Sequence, residues 1–134
     1  MRVLIDTNVI LDVLFARMPF LPDSITVLHM CEDGFAEGMV TTKTLADIYY
    51  FLRKQLHDEG KAREAIRTIL QMVTVCDVTD ANIREALATK NSDFEDAIAA
   101  SCARHANCQL VITRNKRHFE GMGIKCRTPE EFVI

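Results

Sequence analysis

The chain has 134 residues, of which 49% are hydrophobic and 26% are charged, and its formal net charge is −3. This length and composition predict a single globular domain over residues 1–134 with a buried core. The small negative charge argues against a protein that coats nucleic acid by bulk charge, although it allows a local basic rim around a site. No apolar run is long enough to cross a membrane.

Cysteine usage and the N-terminal residues indicate a cytosolic protein. The 5 cysteines are odd in number and include no C-x-x-C pair, which favours reduced thiols. The 4 histidines show no spacing typical of a zinc site. No signal-peptide core precedes Arg2–Ile5, so we expect a cytoplasmic location and no membrane contact.

The first predicted strand, Arg2–Ile5, carries three consecutive branched apolar residues, a pattern typical of a strand buried on both faces. Asp6 ends this run, and Thr7 or Asn8 can cap the helix that follows. A carboxylate therefore stands where the strand gives way to its helix, which is where open α/β sheets bind ligands. Capping of the helix is the alternative role for Asp6.

The middle of the chain alternates between helical and strand patterns, interrupted by proline and glycine. The predicted elements are a loop at Met18–Asp23, a helix from Ser24 as its cap to about Cys31, a strand at Met39–Thr41, a helix at Thr42–Gln55, a break at Gly60, a helix at Lys61–Met72, a strand at Val73–Val78, and a helix capped by Thr79 or Asp80.

Asp47 lies inside the most apolar part of the predicted helix Thr42–Gln55. The charged residues that a solvated face would present, Arg53 and Lys54, come further along this helix. A carboxylate this early in a helix also faces the positive end of the helix dipole, which favours its charge. We therefore predict a functional role for Asp47, with a solvated surface position as the alternative.

The stretch from Asn91 to Ala106 predicts a helix with a second acidic cluster at its start. Ser92 and Glu95 have the spacing of a capping box, so we expect Glu95 to stabilise the start of the helix. Asp93 and Asp96 share a face, and complementation of the helix dipole is the favoured role of Asp93. The small residues that follow favour close packing on a sheet, so a carboxylate one turn in indicates a function for Asp96.

A polar and basic loop directly follows the buried strand predicted at Gln109–Thr113. An amide and several cations at the carboxyl end of a strand suit a site that handles phosphates, with surface solvation as the alternative. A last strand at Lys125–Arg127 and a helical turn at Thr128–Phe132 close the chain. The loop contains Asn115 and the cations Arg114, Lys116 and Arg117.

The alternation of strands and helices predicts an α/β fold, namely a three-layer α/β/α sandwich around a central parallel sheet of about five strands. Asp6 and Asn115 then fall at the carboxyl ends of strands, and Asp47 and Asp96 near the starts of helices at the same edge. Carboxylates gathered there repel one another unless a cation offsets their charge, and Mg²⁺ or Mn²⁺ prefers oxygen ligands. Such ions can hydrolyse phosphodiesters by activating water.

These stretches together resemble the PIN domain, a small metal-dependent ribonuclease domain found in many prokaryotic toxin–antitoxin toxins. The likeness covers essentially the whole chain and rests on the segments LIDTNVILD, TTKTLADIYYFLRK, DFEDAIAASCARH and LVITRNKRHF. The resemblance implies an endoribonuclease acting through metal-activated water. It also implies a PIN-like fold.

The resemblance further implies roles for particular residues. It assigns metal binding to Asp6, Asp47 and Asp96, and the fourth catalytic position to Asn115. It also implies supporting roles near these residues for Thr7, Asn8, Asp93 and Thr113.

Two residues depart from the family pattern. Asp47 stands where the family often has Glu, and the shorter side chain of Asp47 would bring the metal or the helix closer. Asn115 stands where the family often has Asp, so the site has three formal negative charges instead of four. This leads to the hypothesis that a second ion binds only when RNA phosphate is present.

The resemblance also implies an RNA substrate, a cognate antitoxin and a homodimer. Two alternatives to a nuclease stay open at this point. One is a catalytically weak module that binds RNA or a protein; the other is an Asp-dependent phosphatase, for which Asn8 stands where a second acid is needed. The candidate contacts with RNA or an acidic antitoxin tail are Arg53, Lys54, Arg114, Lys116 and Arg117.

Overall fold

A parallel sheet of five strands with helices on both faces forms the centre of the computed structural model, which describes residues 1–90 and 93–134. Its elements in chain order are β1 (Arg2–Ile5), α1 (Thr7–Leu14), α2 (Leu21–Glu32), β2 (Glu37–Thr41), α3 (Thr42–Leu56), α4 (Glu59–Met72), β3 (Thr74–Cys76), α5 (Asp80–Ala88), α6 (Phe94–His105), β4 (Leu110–Ile112), a short 3₁₀ turn (Lys116–Phe119), β5 (Lys125–Arg127) and α7 (Pro129–Val133).

Alternate side chains of the buried strands divide the core into two layers. Val3 and Ile5 of β1 pack into one hydrophobic cluster with α1 to α4 and α7. Leu4 points to the opposite face and packs with α5 and α6. This is the period of two that a strand buried on both faces requires. The predicted α/β/α sandwich is therefore confirmed.

The order of the strands places a crevice beside Asp6. The sheet runs β3-β2-β1-β4-β5, so β1 pairs with β2 on one side and with β4 on the other. The chain leaves β1 toward β2 and β3, and then returns to continue on the other side through β4 and β5. Helices depart in different directions at such a reversal, which opens a crevice at the carboxyl ends of the strands.

Several of the predicted boundaries differ from those in the structure. The predicted loop Met18–Asp23 ends early because α2 begins at Leu21, with Pro22 in its first turn where a missing N–H costs nothing. Ser24 is therefore buried inside α2 and is not its cap.

The break between α3 and α4 lies before Glu59 rather than at Gly60. Gly60 lies in the first turn of α4, whose start is fixed when the Asp58 side chain accepts a hydrogen bond from the Lys61 backbone N–H at 3.0 Å. Of the two predicted caps of α5, Thr79 and Asp80, the structure has Thr79, in a reciprocal capping box with Asn82. None of the helices that the structure describes is long and apolar enough to span a bilayer.

Candidate active site

A cleft of about 290 Å³ opens at the carboxyl edge of the sheet, between the start of α1, α3 and α6. Each of these elements contributes an acid that is distant in sequence from the others. Predicted site residues that line the cleft are Asp6, Thr7, Asn8, Asp47, Asp93, Asp96 and Asn115. The structure thus brings together in one concave surface the residues that the sequence placed at one edge.

Asp6 is held in position by hydrogen bonds to both of its carboxylate oxygens. Oδ1 accepts from the Thr7 backbone N–H at 2.9 Å, which makes Asp6 the N-cap of α1. Oδ2 accepts from the Thr113 hydroxyl at 2.8 Å. Capping and a place in the cleft are therefore compatible roles for this residue.

Thr113 connects the end of β4 to two predicted site residues. Its side chain is fully buried, and its hydroxyl oxygen also accepts a hydrogen bond from the Asn115 backbone N–H at 3.0 Å. The same hydroxyl thus fixes the Asp6 carboxylate and the turn that carries Asn115. Thr113 supports the cleft from behind without lining it.

The start of α6 carries two carboxylates with different tasks. Asp93 is the N-cap, since its Oδ1 accepts from the Asp96 backbone N–H at 3.0 Å. The predicted capping box involves Ser92, which lies outside the described residues. Asp96 points into the cleft, and its Oδ2 lies 3.0 Å from Nδ1 of His118 on the 3₁₀ turn.

Lys43 and Glu95 also line the cleft, and the sequence did not predict a catalytic role for either residue. The Lys43 ammonium nitrogen lies 2.6 Å from Oδ2 of Asp47, and 3.4 Å from Oε1 of Glu95 on the opposite wall. Lys43 and Asp47 are four residues apart on α3, and that spacing was the signal available in the sequence. The position of His118 had no such signal, because it depends on how the 3₁₀ turn folds back against α6.

The pKa shifts in the cleft reflect burial and crowding of carboxylates. Burial raises the pKa of Asp6, and the hydrogen bonds from Thr113 and Thr7 offset this only in part. Burial, followed by the nearby charges of Asp6 and Asp93, raises the pKa of Asp96 to about 6. Burial lowers the pKa of Lys43, but its contacts with acids outweigh this and the pKa lies above its usual value.

The donor set of the cleft suits a hard divalent cation. Its acidic residues offer carboxylate oxygens, with the amide of Asn115 beside them, and oxygen is the ligand that Mg²⁺ and Mn²⁺ prefer. Among the described residues, no three acidic, imidazole or thiol side chains stand close enough together to hold an ion. Asp47 and Asp96 each contact a basic side chain, Lys43 and His118 respectively.

Arg114 points away from the cleft into an internal ion pair. Its Nε and Nη2 donate to the two oxygens of Asp12 at 2.6 and 3.2 Å, and the Asp12 side chain is fully buried. The guanidinium also lies 4.1 Å above the ring of Phe20. A contact between Arg114 and RNA or an antitoxin stays a prediction, while the geometry shows a structural role.

The other predicted basic contacts are exposed and lie outside the cleft lining. Arg53 lies in a groove between α3 and α4, and Lys54 in a hollow that shares Phe51 with the cleft. The Lys116 ammonium lies 2.8 Å from Oε2 of Glu131. Arg117 is exposed on the 3₁₀ turn. Their predicted partners remain predictions.

Three solved structures share the fold at low sequence identity. A toxin–antitoxin complex from Klebsiella pneumoniae is 20% identical with a TM-score of 0.71, over 95% of this chain and 97% of that chain. VapBC2 from Rickettsia felis, bound to a DNA fragment from their promoter, is 13% identical with a TM-score of 0.69, over 96% and 98%. VapC20 from Mycobacterium tuberculosis, a Sarcin-Ricin loop cleaving toxin, is 17% identical with a TM-score of 0.64, over 81% and 86%.

A search of curated proteins found no match to the chain. A family model for the PIN domain, by contrast, matches residues 2–117. That span includes every predicted metal ligand, namely Asp6, Asp47 and Asp96, and also Asn115. The chain therefore belongs to the PIN domain family.

Proposed function

We propose that the protein is a metal-dependent endoribonuclease and the toxin of a toxin–antitoxin pair. The observation that carries the proposal is that Asp6, Asp47 and Asp96, distant in sequence, line one cleft of a PIN domain. The proteins of similar structure include a toxin that cleaves the Sarcin-Ricin loop and a toxin–antitoxin complex. These likenesses support an RNA substrate and an antitoxin partner.

In this proposal, Asp6, Asp47 and Asp96 hold Mg²⁺ or Mn²⁺, with Asn115 at the fourth position. A bound cation of this kind supplies an activated water and stabilises charge on the phosphate during hydrolysis. The chain itself contributes one preorganised ligand, because the Thr113 hydroxyl and the Thr7 N–H hold the Asp6 carboxylate in one orientation. Ligands held in this way need little rearrangement before the reaction.

The proposal includes a homodimer, a cytoplasmic location and contacts from exposed cations. Lys116 and Arg117 follow Asn115 directly, and we assign them contacts with RNA phosphates or an acidic antitoxin tail near the cleft. Arg53 and Lys54 lie further along α3. Exposed lysine and arginine side chains of this kind act through phosphate contacts that are sensitive to salt.

Cleavage of structured RNA by purified protein tests the proposal. We expect cleavage with Mg²⁺ or Mn²⁺ and none with a chelator. Asp6→Asn and Asp96→Asn should each lower the rate by roughly a hundredfold or more, because each removes a charge that holds the cation. Asp33→Asn is the matched control, since it removes the same charge at an exposed position after α2 and should leave the rate unchanged.

Two results would contradict the proposal and point to the alternatives. RNA binding without metal-dependent cleavage at high protein concentration would indicate a binding module. Release of phosphate from small phosphoesters, with RNA left intact, would indicate a phosphatase.

A further inference from the structure

Lys43 carries the one permanent positive charge among the described residues that line the cleft. Its ammonium group contacts acids on both walls, Asp47 on α3 at 2.6 Å and Glu95 on α6 at 3.4 Å. Both Lys43 and Asp47 are half-buried, so water screens their contact less than it screens a pair on an open surface.

Stabilisation of the helix is a poor explanation for this lysine. Lys43 lies in the first turn of α3, where the positive end of the helix dipole disfavours a cation. A lysine that precedes its acid by four residues is also the weaker order for a helical ion pair. The acids of the cleft, rather than the helix, therefore account for a cation at this position.

We propose that Lys43 is a built-in counter-ion bound to Oδ2 of Asp47 in the metal-free protein, so that a divalent cation competes with the ammonium group for this carboxylate. Glu95 lies close enough to receive the displaced ammonium. The inference rests on the proposed function, because it takes Asp47 as a metal ligand. It makes Lys43 a positioning residue that sets the metal affinity of the empty cleft.

Titration of the protein with Mn²⁺ alone, by calorimetry and without RNA, tests this inference. We expect Lys43→Gln to bind Mn²⁺ roughly tenfold more tightly than the wild type, because a competing charge a few ångströms away is removed. Lys43→Arg keeps the charge and should stay within about threefold of the wild type. Lys61→Gln is the matched control, since Lys61 is exposed in the first turn of α4 and should leave the affinity unchanged.

The remaining outcomes separate this inference from the proposed function. Equal affinities for wild type and Lys43→Gln, or equal gains in Lys43→Gln and Lys61→Gln, would overturn the role of Lys43 alone. A gain in Lys43→Arg as large as that in Lys43→Gln would also overturn it. If neither the wild type nor Lys43→Gln binds Mn²⁺, both proposals fail. If the expected affinities are found but RNA is not cleaved, the proposed function fails while Lys43 keeps its role.

Discussion

Asp96, a proposed metal ligand, lies in the cleft at a cost to the stability of the fold. The carboxylate is mostly buried and lies near the charges of Asp6 and Asp93, which is why its pKa rises to about 6. Ionisation of Asp96 therefore costs more free energy in the native, metal-free protein than in the unfolded chain. Residues in functional sites often lower the stability of the folded protein in this way.

This cost has a definite dependence on pH. Between the ordinary pKa of 3.8 and the native value of about 6, the native protein binds a proton that the unfolded chain does not bind. The contribution of Asp96 to stability therefore rises as the pH falls from 7 toward 4.

We predict that Asp96→Asn stabilises the metal-free protein at pH 7.5 by about 1 to 2 kcal/mol, and that this gain is lost near pH 4. The measurement is urea unfolding of both proteins across this pH range in the presence of a chelator. Asp33→Asn, at an exposed position, should show no such dependence. A gain that is the same at both pH values would contradict the prediction.

At the scale of residues, the sequence located acids better than it located their partners. Asp6 and Asp96 both line the cleft at the edge where the sequence placed them, because each stands at the junction of a buried element with a polar segment. Lys43 was missed although its spacing from Asp47 was visible. His118 could not be placed, because its contact with Asp96 joins residues on separate elements.

The ion pair between Asp12 and Arg114 joins two elements on which the cleft depends. Asp12 lies in α1, the helix that Asp6 caps, and Arg114 lies between β4 and Asn115. Arg17 lies 3.5 Å from the same carboxylate. The pair therefore fixes the turn that carries Asn115 against the first helix.

We predict that Asp12→Ala lowers the free energy of unfolding by about 3 to 5 kcal/mol, because it leaves the Arg114 charge partly buried without its partner. Urea unfolding at neutral pH measures this loss. Glu64→Ala breaks an exposed ion pair with Arg67 and should cost less than about 1 kcal/mol. Similar losses in the two variants would show that the Asp12 pair is energetically an ordinary surface contact.

At the scale of elements, hydrophobic periodicity predicted the existence of strands and helices, and local chemistry decided their ends. The predicted strand Val73–Val78 is only three residues long as β3, and α2 begins ahead of its predicted cap. Pro22 was included in a predicted loop, but the first turn of a helix accepts proline because its N–H group has no partner within the helix. No periodicity could reveal the ion pair of the buried Asp12 with Arg114, because it joins residues on separate elements.

At the scale of the whole molecule, alternation of element types was sufficient to predict a parallel sheet with helices on both faces. The order of the strands was not predictable in this way, because it depends on which strands pair after the chain returns from β3 to β4. That order nonetheless decides the site, since it puts β1 beside β4 and so brings Asp6 to Thr113.

The charge of the completed cleft leads to a last prediction, about how many cations the molecule holds. Asn115 lines the cleft without adding a negative charge, so the predicted metal ligands include three carboxylates, those of Asp6, Asp47 and Asp96, rather than four. A second divalent cation close to the first meets strong repulsion unless another anion offsets it. We predict that the protein binds one Mn²⁺ alone and two in the presence of RNA, whose phosphates supply the missing charge.

Calorimetric titration with Mn²⁺, with and without an RNA analogue whose methylenephosphonate linkages keep the negative charge but resist hydrolysis, measures the two stoichiometries. Asn115→Asp adds a fourth carboxylate to the predicted metal ligands and should bind two ions even without RNA. Asn107→Asp adds the same charge beyond the C-terminal end of α6, outside the cleft lining, and should behave as the wild type. The same stoichiometry with and without RNA in the wild type would show that phosphate is not required, and that the uncharged Asn115 does not limit the number of ions bound.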